Sequence, residues 1–191
     1  MDLLLPGFAD PVGGAQRCFR AVLAAMARPG SLHQAGADLA APALLDPATA
    51  AVLLSLVDAD TPLWLAPDLT AAADWVAFHC GAPISPAIGG AGFAVATALP
   101  DLAALAAGTD AGPEESATLI LQVAALGAGR RLTLAGPGLQ HPAALAVDGL
   151  PDGFVAAWAA NHARYPRGVD IILCAGTAIA ALPRSVQITA G

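Results

Sequence analysis

Short apolar runs of two different periods alternate along this chain, and most of them are closed by proline or glycine. That interleaving constrains the fold more than any single motif does. Residues 11–28 read as a first helix, with Ala15, Phe19, Val22 and Met26 recurring at spacings of three and four, and Pro29-Gly30 ending it. Residues 47–57 predict a second, nearly all-apolar helix, capped by Asp46 with Pro47 at its first position. Pro62–Leu65 reads as a short buried strand, and residues near 70–80 as a third helix carrying Trp75, Phe78 and His79. Phe93–Thr97 alternates weakly, and Asp101–Ala107 suggests a short helix. Thr118–Val123 is a strong strand run, with Arg131–Ala135 expected to pair with it across the glycine-rich turn LGAGR. A loop, GPGLQHP, follows at 136–142. A helix near 152–164 and strands at 169–174, 179–182 and 186–189 complete the pattern. With 191 residues, no internal repeat and no linker-like tract, the expected architecture is one domain over 1–191. Its expected form is a three-layer α/β/α fold with a mixed sheet.

Composition narrows the chemistry. All eight basic residues are arginine, so a Schiff-base lysine and the lysine of a phosphate-binding P-loop are both excluded. A net charge of −7 makes the surface a poor general match for nucleic acid or anionic lipid. The 57% hydrophobic content invites a membrane reading, but alanine supplies much of it. The longest stretch without a charged residue, Trp75–Pro100, is broken by Gly81, Pro83, Pro86, Gly89, Gly90 and Gly92. MDLLLPGFAD lacks the basic flank and the long apolar core of a signal peptide. Cys18, Cys80 and Cys174 are far apart and set among apolar residues, as expected of reduced thiols in a cytoplasmic protein. No Cys-x-x-Cys or paired Cys/His spacing offers a zinc site, and no metal is expected.

The polar candidates form four groups. Asp58, Asp60 and Thr61 could supply oxygen ligands to magnesium, or could shape a turn through local N–H groups. His79 could act as an acid–base or anion partner, or sit half-buried at a helix end with one hydrogen bond. Glu114 and Glu115, the only glutamates, could provide a general base or bind an arginine, or form a solvated turn. Asn161, His162, Arg164, Arg167, Asp170 and Arg184 gather late in the chain. There Asp170, placed mid-strand, should meet Arg184 or Arg167 for function or for structure alone. No GxGxxG or GxxxxGK motif exists, and GPGL is only a loose likeness to an anion nest.

Six segments in order carry a further signal. They are AQRCFRAVLAAMARPG at 15–30, LLSLVDADTPLWLA at 53–66, FHCGAP at 78–83, PEESATLILQV at 113–123, RLTLAGPGL at 131–139 and YPRGVDIILCAGTAIAALPRS at 165–185. Together they resemble the PhnH family of the bacterial carbon–phosphorus lyase system for phosphonate breakdown. The resemblance implies a subunit that, with the G, I and L proteins, helps join a phosphonate to the ribose of ATP. Adenine is displaced and a ribose 1-phosphonate 5-triphosphate results; the radical subunit J cleaves the C–P bond later. It also implies a fold similar to the large domain of pyridoxal-phosphate-dependent transferases, without that cofactor. The expected partners are the PhnG, PhnI and PhnJ subunits, a second copy when the chain is isolated, and an ATP or phosphonate ligand. The matching polar positions, taken as a shared cleft or subunit contact, are Arg20, Asp58, Asp60, Thr61, His79, Glu114, Gln122, Asp170 and Arg184. No catalytic residue is assigned. The sequence departs from the family at LPRSV, where members tend to read PRTT, so Val186 carries no hydroxyl. Alternatives are a small-molecule binding module, or a free-standing enzyme acting on an anionic substrate through His79 and Arg184.

Overall fold

The structure is a computed structural model and describes residues 5–191. Helix α1, Pro11–Ala27, starts where Asp10 accepts a hydrogen bond from the Gly13 N–H and Pro11 supplies a preset backbone angle. Strand β1, His33–Gln34, is followed by α2, Pro47–Leu56. Every residue from Ala48 to Leu53 is fully buried, which is why α2 is apolar all round. Asp46 stands at the cap position of α2, but its side chain makes no capping bond. Next come β2, Leu63–Leu65, a 3₁₀ segment at Pro67–Ala72, α3, Ala73–Cys80, and β3, Phe93–Ala96. The short helix expected at 101–107 shrinks to a single 3₁₀ turn, Leu102–Ala104, capped by Asp101. Alanine supplies helix propensity there, but three residues bury only Leu102, too little packing to propagate the turn.

The remaining elements are β4, Thr118–Gln122; β5, Ala125–Ala135; β6, Ala143–Asp148; α4, Phe154–His162; β7, Asp170–Ala175; β8, Ala178–Leu182; and β9, Gln187–Ala190. A six-stranded mixed sheet has the order β1-β8-β7-β4-β3-β2. Within it β2, β3, β4 and β7 run parallel, while β8 is antiparallel to both β7 and β1. Leu119, Ile120 and Leu121 are all buried, the continuous apolar run of a strand covered on both faces.

Two expectations need correction. There is a second sheet, β6-β5-β9, wholly antiparallel, where one mixed sheet was expected. The partner of β4 is accordingly not the 131–135 run: β4 lies between β3 and β7, and β5 belongs to the second sheet. LGAGR is not a hairpin turn but a bulge inside β5, where Leu126 and Arg130 both oppose Val147. Gly129 sits there at φ +85°, with the Asp148 backbone 2.6 Å from where a Cβ would be, so no other residue fits.

Helix α1 packs on β8 and α2, α3 packs on α2, and α4 packs on β9. One apolar cluster joins residues of both sheets, including Leu119, Leu132, Val147, Trp158 and Ile171. The buried face of α1 is Gly14, Cys18, Val22 and Ala25, rotated from the expected one so that Phe19 is left half-exposed. Among the described residues no helix is long and apolar enough to cross a membrane.

Candidate functional site

Asp170 opens β7 and Arg184 follows the Leu182–Pro183 corner after β8, so the β7–β8 hairpin brings them together. The guanidinium grips the carboxylate with two bonds, Nη2 to Oδ2 at 2.7 Å and Nε to Oδ1 at 3.2 Å. The Arg184 backbone N–H also donates to Oδ1, at 2.7 Å. Nη1 donates to the Pro113 carbonyl at 2.6 Å, and the His162 ring nitrogen Nδ1 donates to the Arg184 carbonyl at 2.9 Å. The two side chains are only 16% and 20% exposed. An open cleft of about 360 Å³ lies over this pair, bordered by Pro113, Glu114, Tyr165 and Ser185. Of the two partners the sequence allowed for Asp170, Arg184 is the one used; Arg167 pairs with Asp110 at 3.1 Å. Arg184 is neutralised by its carboxylate and committed to Pro113, so it offers little charge to an anion in the cleft.

His79 lies elsewhere. Its Nε2 donates to the Leu5 carbonyl at 3.0 Å, and Trp75 Nε1 donates to the same oxygen at 3.2 Å. The rings of Trp75 and His79 are 4.6 Å apart. Together they fasten the N-terminal segment to α3, a structural task that uses the histidine proton.

Asp58, Asp60 and Thr61 form a turn between α2 and β2. Asp58 Oδ1 accepts from the Asp60 N–H at 3.0 Å and from the Thr61 hydroxyl at 2.6 Å. Those bonds, the hydroxyl's first, hold the Asp58 carboxyl below its ordinary value. The turn reading therefore accounts for the motif, and no group of three metal-ligating side chains occurs among the described residues.

Gln122 ends β4 and spans to the α2 entry. Its Oε1 accepts from the Asp46 N–H at 2.7 Å, and its Nε2 donates to the Leu44 carbonyl at 3.2 Å. This is a splice between sheet and helix. Arg20 is exposed on α1, and among the described residues no carboxylate lies within ion-pair distance of it. Of the candidate positions, then, Glu114, Asp170 and Arg184 share one cleft, while Arg20, the Asp58–Thr61 turn, His79 and Gln122 stand apart. The signals not used from sequence were Pro113, whose carbonyl has no side-chain signature, and Trp158, whose Nε1 donates to the Val186 carbonyl at 2.8 Å.

Sheet topology adds a reason why no single crevice gathers all of the candidate positions. In chain order β2, β3, β4 and β7 follow one another across the sheet without reversal. Ligand crevices of open parallel sheets form where strand order reverses.

The thiols are protected by their surroundings. Burial pushes Cys80 up to about 11 and Cys174 up to about 12, and raises Cys18 against an opposing Ser55 bond. At pH 8 the folded protein is expected to react slowly with a thiol-specific disulfide reagent, and all three cysteines to react at once after unfolding in urea. Above about pH 9 the unfolded chain loses thiol protons that the fold retains, so stability should fall as pH rises toward 12. Urea midpoints at pH 8 and pH 10 check this, with a smaller drop expected in Cys174→Ala.

Comparison with known proteins agrees with the ordered segments. The sequence pattern of the family described as bacterial phosphonate metabolism protein (PhnH) matches residues 6–189. The chain is 41% identical over 186 residues to the alpha-D-ribose 1-methylphosphonate 5-triphosphate synthase subunit PhnH of Rhizobium meliloti (strain 1021), covering 95% of this chain and 93% of that protein. It is also 41% identical over 76 residues to the putative C-P lyase subunit protein HtxG of Stutzerimonas stutzeri, covering 40% of this chain and 39% of that one. A match across nearly the whole length places this chain in the PhnH family.

Proposed function

We propose that the protein is a non-catalytic subunit of the bacterial machinery that converts a phosphonate and ATP into ribose 1-phosphonate 5-triphosphate. The observation that carries this reading is the 41% identity, over 95% of the chain, to a protein named as a subunit of that synthase. The commitments of the polar candidates support it: His79, Asp58, Gln122, Asp170 and Arg184 are each engaged in bonds that hold the fold. The partners in this reading are PhnG, PhnI and PhnJ, with a homodimer when the chain is alone, in the cytoplasm. No cofactor is used, and a lysine-free chain has no side-chain amine with which to bind pyridoxal phosphate as an imine. A kinship with the large domain of the pyridoxal-phosphate transferases belongs to the same reading. The parallel β2-β3-β4-β7 core with β8 antiparallel at its side supports that kinship.

The test is reconstitution. The isolated chain should give no adenine from ATP and methylphosphonate, while the co-expressed G, I and L proteins should release adenine only when this chain is present. Release by the chain alone would refute a non-catalytic role, and full release without it would refute the role in the synthase.

A further inference from the structure

Helix α1 presents a wider apolar arc than the fold buries. At about 100° per residue, the buried positions Gly14, Cys18, Val22 and Ala25 centre about 120° around the helix from Val12, Phe19 and Leu23. Those three are 82%, 51% and 57% exposed. They fall on one line about 16 Å long, and Arg20 lies directly beside it. The pattern read from sequence placed Phe19 in the core stripe, yet the fold turns it outward. Three large apolar side chains left exposed in one line are the mark of a contact surface.

Charge indicates what covers it. The whole chain carries −7, but residues 11–28 hold Arg17, Arg20 and Arg28 and no carboxylate at all. Among the described residues only Arg17 has an acidic neighbour, Asp10 at 3.9 Å. Two copies of α1 laid antiparallel along this line would set the two Arg20 side chains on the same side of the seam, with no carboxylate of α1 to offset them. An apolar segment bordered by Asp or Glu meets both the line and the charge.

We propose that the Val12–Phe19–Leu23 line, with Arg20 beside it, docks an apolar, carboxylate-bordered segment of a partner protein. This rests on the subunit reading and assigns its contact face.

The experiment is co-purification of tagged full-length chain with co-expressed PhnG, PhnI and PhnJ. The variants are Phe19→Asp/Leu23→Asp and Arg20→Glu, each checked by thermal unfolding and light scattering. The double variant is expected to lose at least tenfold in captured subunits with an unchanged unfolding temperature. Arg20→Glu should lose severalfold at low salt, and capture by the wild type should weaken as salt rises. Undiminished capture by either variant overturns the proposal. A marked fall in unfolding temperature of the double variant overturns it too, because the line would then be covered within the chain. So does a wild-type dimer that the double variant splits while capture persists, since the occupant would then be a second copy. If the wild type captures nothing, the subunit reading itself fails and the docking face with it.

Discussion

Replacing Trp158 by alanine is expected to remove about 4–6 kcal/mol of stability, enough to leave a typical domain near its unfolding threshold. Trp158 is fully buried, stacks on Phe154 at a centroid distance of 6.4 Å, and binds the Val186 carbonyl through Nε1. It thus joins α4 to the corner that leads into β9, beside the bond from His162 to the Arg184 carbonyl in the same corner. Truncation leaves a cavity of aromatic size and an unpaired buried carbonyl, and the two costs add. Trp158→Phe separates them. It keeps most of the volume but not the donor, and should cost about 1–3 kcal/mol. Urea unfolding followed by circular dichroism would read both. Equal loss in the two variants would show that the hydrogen bond, not the packing, dominates.

Removing the guanidinium from Arg184 is the second large effect. Arg184→Met leaves Asp170 a half-buried carboxylate with one backbone donor, and it frees Pro113 from β7 and β8 at the same time. Breaking a fully buried pair costs about 3–5 kcal/mol. Here the side chains keep 16% and 20% exposure, so water offsets part of that loss and about 2–3 kcal/mol is expected. The unfolding temperature should fall by roughly 4–12 °C. The double change Arg184→Met/Asp170→Leu should recover part of the loss but not all, because the Arg184 N–H would still lack its acceptor. In reconstituted complex, an activity loss no larger than the loss of folded protein would mark the pair as structural. A loss of activity at full folded content would point instead to a role for the cleft.

How far the sequence could be read follows from what each signal depends on. Local signals transferred well. Asp10-Pro11 starts α1 where expected, and Thr118–Gln122 is the central strand its β-branched, apolar run suggested. Asp58–Thr61 forms a turn because the Asp58 carboxylate accepts from the Asp60 N–H and the Thr61 hydroxyl, and among the described residues no group of three metal-ligating side chains includes it. Pairing was less legible, because register is set by residues distant in sequence. β4 and the 131–135 run look like hairpin partners only because they are neighbours along the chain. Ala143–Asp148 drew no strand reading, since alanine carries little periodic signal and the strand is defined by its pairing with β5. The same holds for the site. That Asp170 needed an arginine was readable from burial cost, whereas the third partner, a proline carbonyl, could come only from the fold.

The adjacency of β4 and β7 has a consequence for how the protein is made. Between them the chain leaves the large sheet for residues 123–169, building β5, β6 and α4 before it returns. As the polypeptide emerges from the ribosome, β4 therefore waits with the edge that β7 will cover still bare until residues 170–175 arrive, 47 residues of other structure later. Throughout that interval the nascent protein carries an open strand of the kind that invites misassociation, and its solubility in the cell depends on how quickly β7 reaches it.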